Sequence, residues 1–356
     1  MRTILLLTPI ALLAACGEEP RSQRWTPPED TIFVAVEEDG TLAALDGASG
    51  KLVATLDLSQ DGMKFDVHNV QAAPDRQTVW LTAMPAEEGG HEAHTGGSPS
   101  EQLIGVDVAT FAVRDRIELG DGLHAAHVVV SSTTAYVTAY DADAVLVIDL
   151  AAKRAVSRIA LPAGTGPHGA RLTPDGKALV VAGMKTGALV VIDLPSTRVD
   201  SYVLPGRAVQ TAVLPGGARA FVSIYDTRQV ASIDLVTRAI TFIDLPAGAA
   251  GPVQIYPSPD ASALWVADQG MLEGQPAGDK LYRIDITSAT VAASVRVNHA
   301  PHGVVVNEEG SKVWTTTLVE GTVQSVDART GEVLSTSSVG TKPNGISCLH
   351  RSGVMP

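Results

Sequence analysis

The chain is 356 residues long and carries 26 Lys and Arg against 39 Asp and Glu, a formal net charge of −13. That balance excludes a surface built for nucleic acid or anionic lipid, both of which call for basic patches. Two cysteines, Cys16 and Cys348, cannot supply a disulfide framework for a chain of this size.

At the N-terminus, Arg2 precedes an apolar run from Ile4 to Ala15 that is too short for a stable membrane-spanning helix. The run closes on Leu13-Ala14-Ala15-Cys16, which resembles the bacterial lipobox. An ordinary signal peptide followed by a chance cysteine is the plainer reading. The lipobox resemblance instead implies that residues 1–15 are a signal peptide and that Cys16 is lipidated. The protein would then be held on a membrane of the cell envelope, facing the periplasm. Residues 16–30 are polar and proline-rich, as a tether should be. No later apolar run approaches the roughly 20 residues of a transmembrane helix.

From residue 31 to 350 one pattern recurs. An apolar pair followed by Asp appears at Asp46, Asp107, Asp149, Asp193, Asp234, Asp285 and Asp327, at intervals of 41 to 44 residues apart from two of 61 and 51. Periods in this range mark solenoids or propellers. A Ser/Thr/Gly/Arg turn and a strand-like run follow each Asp, whose side chain suits the capping of turn amides, so no catalytic role is assigned to these seven. Ahead of each Asp lies a further strand, such as AYVTAY at 135–140 or KVWTTTL at 312–318, entered through a turn such as Thr173-Pro174-Asp175-Gly176. Each repeat reads as a four-stranded antiparallel meander, strands a to d. The expected fold is all-β, a seven-bladed β-propeller. The chain enters with strands b, c and d at 31–58 and leaves on one strand at 342–349, which can complete the first blade and close the ring; 351–356 is a tail.

These repeats resemble the YVTN-type propeller family. Tyr136-Val137-Thr138-Ala139 is nearly its signature, and PHGARLTPDGKALVV at 167–181 is typical of its blade starts. Relatives of that fold include the propellers of nitrous oxide reductase and cytochrome cd1 nitrite reductase and periplasmic zinc metallochaperones. Fold alone names no activity.

One position is chemically distinctive. Near the start of strand a the seven blades carry His68, His127, His168, Gln210, Gln254, His302 and Asn344. His, Gln and Asn together make up 24 of 356 residues, so accident is a poor account of this ring. It has two readings. Polar side chains at a channel mouth can simply bond water and stray backbone groups. Alternatively, imidazoles from His68, His127, His168 and His302 converge on a metal. Zinc suits such a donor set best and copper is the alternative, whereas calcium and magnesium prefer oxygen. His124 and His299 each stand three residues before a ring His, and Asp66 two before His68, as further ligands or supports. Ring His at corresponding positions hold the copper cluster of nitrous oxide reductase. With four His among seven positions, this chain departs from that pattern.

The insertion at 85–101 contains His91, Glu92 and His94 between Gly- and Ser-rich flanks. It is expected to emerge on the same face and to capture metal; a solvated loop is the competing reading. One residue is missing for the zincin motif. The chain has no C-x-x-C-H haem site, nucleophile elbow or phosphate loop, so neither covalent haem nor nucleotide is expected. The resemblance to propeller metallochaperones implies storage of a transition metal or its delivery to a transporter component or another envelope protein. A protein-interaction scaffold is the alternative, with insertions 85–101 and 269–279 as docking loops, and a tetrapyrrole-binding or lactonase-like enzyme comes third.

Overall fold

The computed structural model describes residues 25–86 and 100–349. Cys16, with the signal segment and most of the tether, lies outside the described residues, as do His91, Glu92, His94 and the tail. Seven four-stranded antiparallel sheets form a seven-bladed β-propeller. Within the described residues the one helical element is a 3-10 turn, Leu272–Gly274, in the b–c insertion of blade 6.

Blade 1 is closed as expected. Its strands b, c and d are Ile32–Val36, Thr41–Leu45 and Leu52–Asp57, and its innermost strand a is Pro343–Cys348 from the other end of the chain. The partners run antiparallel, with Ile32 opposite Cys348 and Val34 opposite Ile346. Strand a of blades 2 to 7 is Phe65–Ala72, Ala125–Val130, Pro167–Leu172, Ala208–Val213, Pro252–Pro257 and Pro301–Val306. Blades pack face to face, and apolar clusters fill the spaces between them. Phe33, Val67 and Leu81 lie between blades 1 and 2, for example, and Trp265, Val305 and Trp314 lie where blades 6, 7 and 1 meet. All seven repeat Asp accept turn amides, such as Ser49 N–H at 2.6 Å on Asp46 and Thr330 N–H at 2.7 Å on Asp327.

A β-bulge interrupts every strand a. Pairing with strand b skips between Val67 and Val70, Ala125 and Val128, Pro167 and Ala170, Ala208 and Thr211, Pro252 and Ile255, Pro301 and Val304, and Pro343 and Ile346. Each ring residue sits in its blade's bulge, which twists the strand and re-aims that side chain. The bulge strips an N–H of its ladder partner, and a hydroxyl on strand b replaces it. Thr138 accepts His127 N–H at 2.9 Å and donates to the carbonyl of His168 in the next blade at 2.7 Å. Thr82, Ser223 and Thr316 bridge their neighbours in the same way. Thr138 is thus the physical content of the Y-V-T-A motif.

The Gly of the blade starts answers the same crowding. A Cβ on Gly169 would stand 2.6 Å from Cα of Gln210, and one on Gly303 2.6 Å from the Asn344 carbonyl.

Thr138 is fully buried. Thr138→Val keeps its shape but strands a buried N–H and a buried C=O, each worth about 1–3 kcal/mol. Chemical denaturation should show a loss of about 2–4 kcal/mol with an unchanged m-value, while Thr133→Val, at an exposed turn, should lie within about 0.5 kcal/mol of the parent.

Candidate metal centre

The ring residues of blades 2, 3 and 4 come together. One ligand atom each from His68, His127 and His168 lie within 4.8 Å of one another. Ring centroids are 4.7 Å apart for His127–His168, 5.6 Å for His68–His168 and 5.7 Å for His68–His127, all edge-to-face.

Each imidazole is held through Nδ1. His168 Nδ1 donates to the Val209 carbonyl at 2.9 Å, and His302 Nδ1 donates to Gln269 Oε1, so both present a bare Nε2 lone pair. His127 Nδ1 lies 3.3 Å from Gln210 Nε2, and His68 Nδ1 lies 3.2 Å from Asn344 Nδ2. The Gln210 amide N–H donates to His127 Nδ1, which puts the proton of that neutral ring on Nε2. Gln210 is itself fixed: Nε2 donates to Gln254 Oε1 at 2.8 Å, and Oε1 accepts Thr211 N–H at 2.8 Å. The ring's side-chain hydrogen bonding falls into separate groups, His127–Gln210–Gln254 and His68–Asn344–Glu37 among them. It leaves buried Nε2 atoms of His68, His127 and His302 with no partner among the described residues.

Burial governs the protonation of the cluster. It pushes His127 well below the ordinary imidazole range, aided by the charges of His168, His68 and Arg171. Burial and the nearby His68 bring His168 down to about 3 and His302 to about 4. These three rings are neutral at pH 7, the state a metal ligand needs.

Glu37, which the sequence reading did not single out, is the carboxylate of the site. It directly follows strand b of blade 1, accepts Asn344 Nδ2–H at 2.6 Å and stands 3.7 Å from His68 Nδ1. Burial alone would raise its carboxyl, but hydrogen bonding to His68, the charge of His68, the Asn344 amide and the charge of His302 outweigh that and hold it at about 2. Gln269, at the end of strand b in blade 6, is the second residue not anticipated. The available signal was topological, because the end of strand b abuts the start of strand a on the same face.

The other candidates lie apart from the three-imidazole group. His302 faces Gln269 and His299 pairs with Glu320 at 2.6 Å on the surface. His124 stands between Tyr140 and Asp141, its pKa lowered by burial and by His68. Asp66 is two residues before His68 on the same strand and is not among the groups within 4.8 Å.

No protein-family model matches the chain, and no curated protein matches it. Solved structures do. A structure of hydrazine synthase from Kuenenia stuttgartiensis superposes with a TM-score of 0.70 at 16% identity, covering 85% of this chain and 94% of that one. Virginiamycin B lyase from Staphylococcus aureus gives 0.63 at 17%, covering 78% and 87%. A protein of unknown function from Desulfotomaculum acetoxidans gives 0.70 at 12%, covering 90% and 99%. At these identities the likeness shows the fold, and what the chain shares with all three is the β-propeller.

The buried imidazoles set an acid limit. Unfolded, they bind protons near pH 6.5; folded, His168 and His302 do so only near pH 3 to 4. Between those values the unfolded chain binds more protons, so stability falls as pH drops through the window, by on the order of 2–3 kcal/mol for His168 alone near pH 4.5. Calorimetry from pH 7.5 down to 4.5 should show a shallower decline for His168→Gln than for the parent; parallel curves would contradict the assignment.

Proposed function

We propose that this chain is a lipid-anchored protein of the cell envelope that binds a transition metal, zinc in preference to copper, through His68, His127 and His168 at its channel mouth, for storage or delivery. The observation that carries the reading is the convergence of three ligand atoms within 4.8 Å, in rings that burial keeps neutral or that stand beside such rings. Imidazole nitrogens sharing a tetrahedral zinc at about 2.0–2.1 Å stand roughly 3.3 Å apart. The rings must therefore close slightly, which the partnerless Nε2 atoms favour, since a metal would satisfy them. Glu37 and His302 are the reserves for a fourth position. The anchor rests on Leu13 to Cys16, and a capture role for His91, Glu92 and His94 belongs to the same reading.

The donor set imposes one condition. For His127 to offer the Nε2 lone pair, the Gln210 carboxamide must turn over so that its oxygen accepts Nδ1–H, losing its present bonds to Gln254 and Thr211. A carboxylate at 210 would accept that proton without the reversal, and supports of this kind change metal affinity about 10- to 100-fold.

The test is zinc titration of the untagged chain carrying Cys16→Ser, in competition with a chromophoric chelator. One tight site is expected, with a thermal midpoint that rises with zinc concentration. His127→Gln/His168→Gln, with its β spectrum intact, should lose at least about 100-fold in affinity, and Gln210→Glu should gain about tenfold. Unchanged affinity in the double variant would remove the ring from the account.

A further inference from the structure

A second polar site lies farther along the channel. At the second position past the bulge, strand a carries Gln71, Val129, Arg171, Ala212, Tyr256, Val305 and Ser347. Arg171 is the one charge in this tier, and it is 8% exposed. Its Nη1 donates to the carbonyl of the adjacent Ala170 at 2.7 Å, and among the described residues no carboxylate lies within salt-bridge distance of it. An unpaired buried charge is among the costliest features a fold can carry.

Tyr256, on strand a of blade 6, takes the same register position, opposite Trp265 on strand b as Arg171 is opposite Val180, and the two groups interact electrostatically. Blades 4 and 6 are not adjacent, so their inner-strand side chains can meet only across the channel. Tyr256 is 1% exposed, and its hydroxyl has no hydrogen-bond partner among the described residues. Neither it nor the nearby Cys348 supplies a counter-charge: burial raises the phenol well above its usual range and the thiol to about 12. Burial also brings the guanidinium down to about 10, which leaves it a cation at neutral pH.

We propose that Arg171 and Tyr256 form a binding site for a small monovalent anion inside the channel, beyond the histidine ring. The guanidinium fork and a single phenolic O–H match a planar oxyanion of nitrate, formate or bicarbonate size: two oxygens meet the fork, and the hydroxyl donates to the third oxygen of nitrate or bicarbonate or shares one of the two of formate. One positive charge among neutral neighbours balances one negative charge; a dianion would leave a buried surplus. The site is independent of the metal reading, since none of the three imidazoles takes part in it.

The experiment is thermal unfolding of the full chain in EDTA, titrated with sodium nitrate or sodium formate at constant ionic strength set by a bulky sulfonate salt. The midpoint should rise with the logarithm of anion concentration and do so in His127→Gln/His168→Gln as well. Arg171→Met should abolish the rise. Tyr256→Phe should shift the half-saturating concentration about tenfold upward, the size of one lost charge-assisted hydrogen bond, and it decides the matter if Arg171→Met fails to fold. No rise in the parent, an equal rise in Arg171→Met, or an unshifted titration in Tyr256→Phe would overturn the site. So would equal stabilisation by sulfate in parent and Arg171→Met, which marks general exclusion of salt from the surface.

Discussion

The pairing of residues 343–348 with residues 32–36 is the constraint on which the rest depends. Without that strand the first blade lacks its inner edge, and the seventh would face an exposed ladder of unpaired backbone groups. With it, seven inner strands surround one axis, and whatever occupies a given position of the repeat is brought to one level of the channel. The cost of fixing so many long-range contacts is met by the apolar faces between blades, where Trp265, Trp314 and Phe221 are almost wholly buried.

Closure alone would not gather imidazoles. In a regular strand the ring side chains would alternate onto the faces that pack against neighbouring blades. The bulge in each strand a turns them aside, and the hydroxyls of Thr82, Thr138, Ser223 and Thr316 repair the backbone that the bulge disrupts while tying each of their blades to the next. The same few residues thus stabilise the ring and aim the site. The electrostatics are divided along the channel. The outer tier is a set of imidazoles with Glu37 beside them, and the inner tier holds the buried cation Arg171, whose charge reaches His127 and helps keep it neutral. An anion beside Arg171 would ease the approach of a cation to His127, so occupancy of the two tiers should be mutually favourable.

The fold was legible because its signals repeat. Seven Asp-capped turns and alternating β-branched runs reveal blade number and strand order, and the orphan strand at 342–349 reveals the closure. The ring was legible in part for the same reason, but the pairing divides it: His68, His168, His302 and Asn344 take the first place of their bulge and His127, Gln210 and Gln254 the second. Glu37, Gln269 and Arg171 carry no such signal: each occurs once, and its meaning comes from what lies across the channel rather than along the chain. His124 and His299 share a spacing to the ring that does not bring them to the three-imidazole group. Three residues before a bulge is far enough for the backbone to turn, and both residues face surface carboxylates instead of the axis. The Gly of the PHG and PNG starts was visible, yet its reason, the close approach of the next inner strand, is evident only once the ring is closed.

The central claim is that imidazoles from consecutive blades share one ion. X-ray absorption at the zinc edge, on the chain loaded with one equivalent, reads this directly. The account predicts a first shell dominated by nitrogen at about 2.0–2.1 Å, with the outer-shell scattering of at least two imidazole rings. A shell of oxygens without imidazole scattering, or a spectrum unchanged by His127→Gln/His168→Gln, would contradict it.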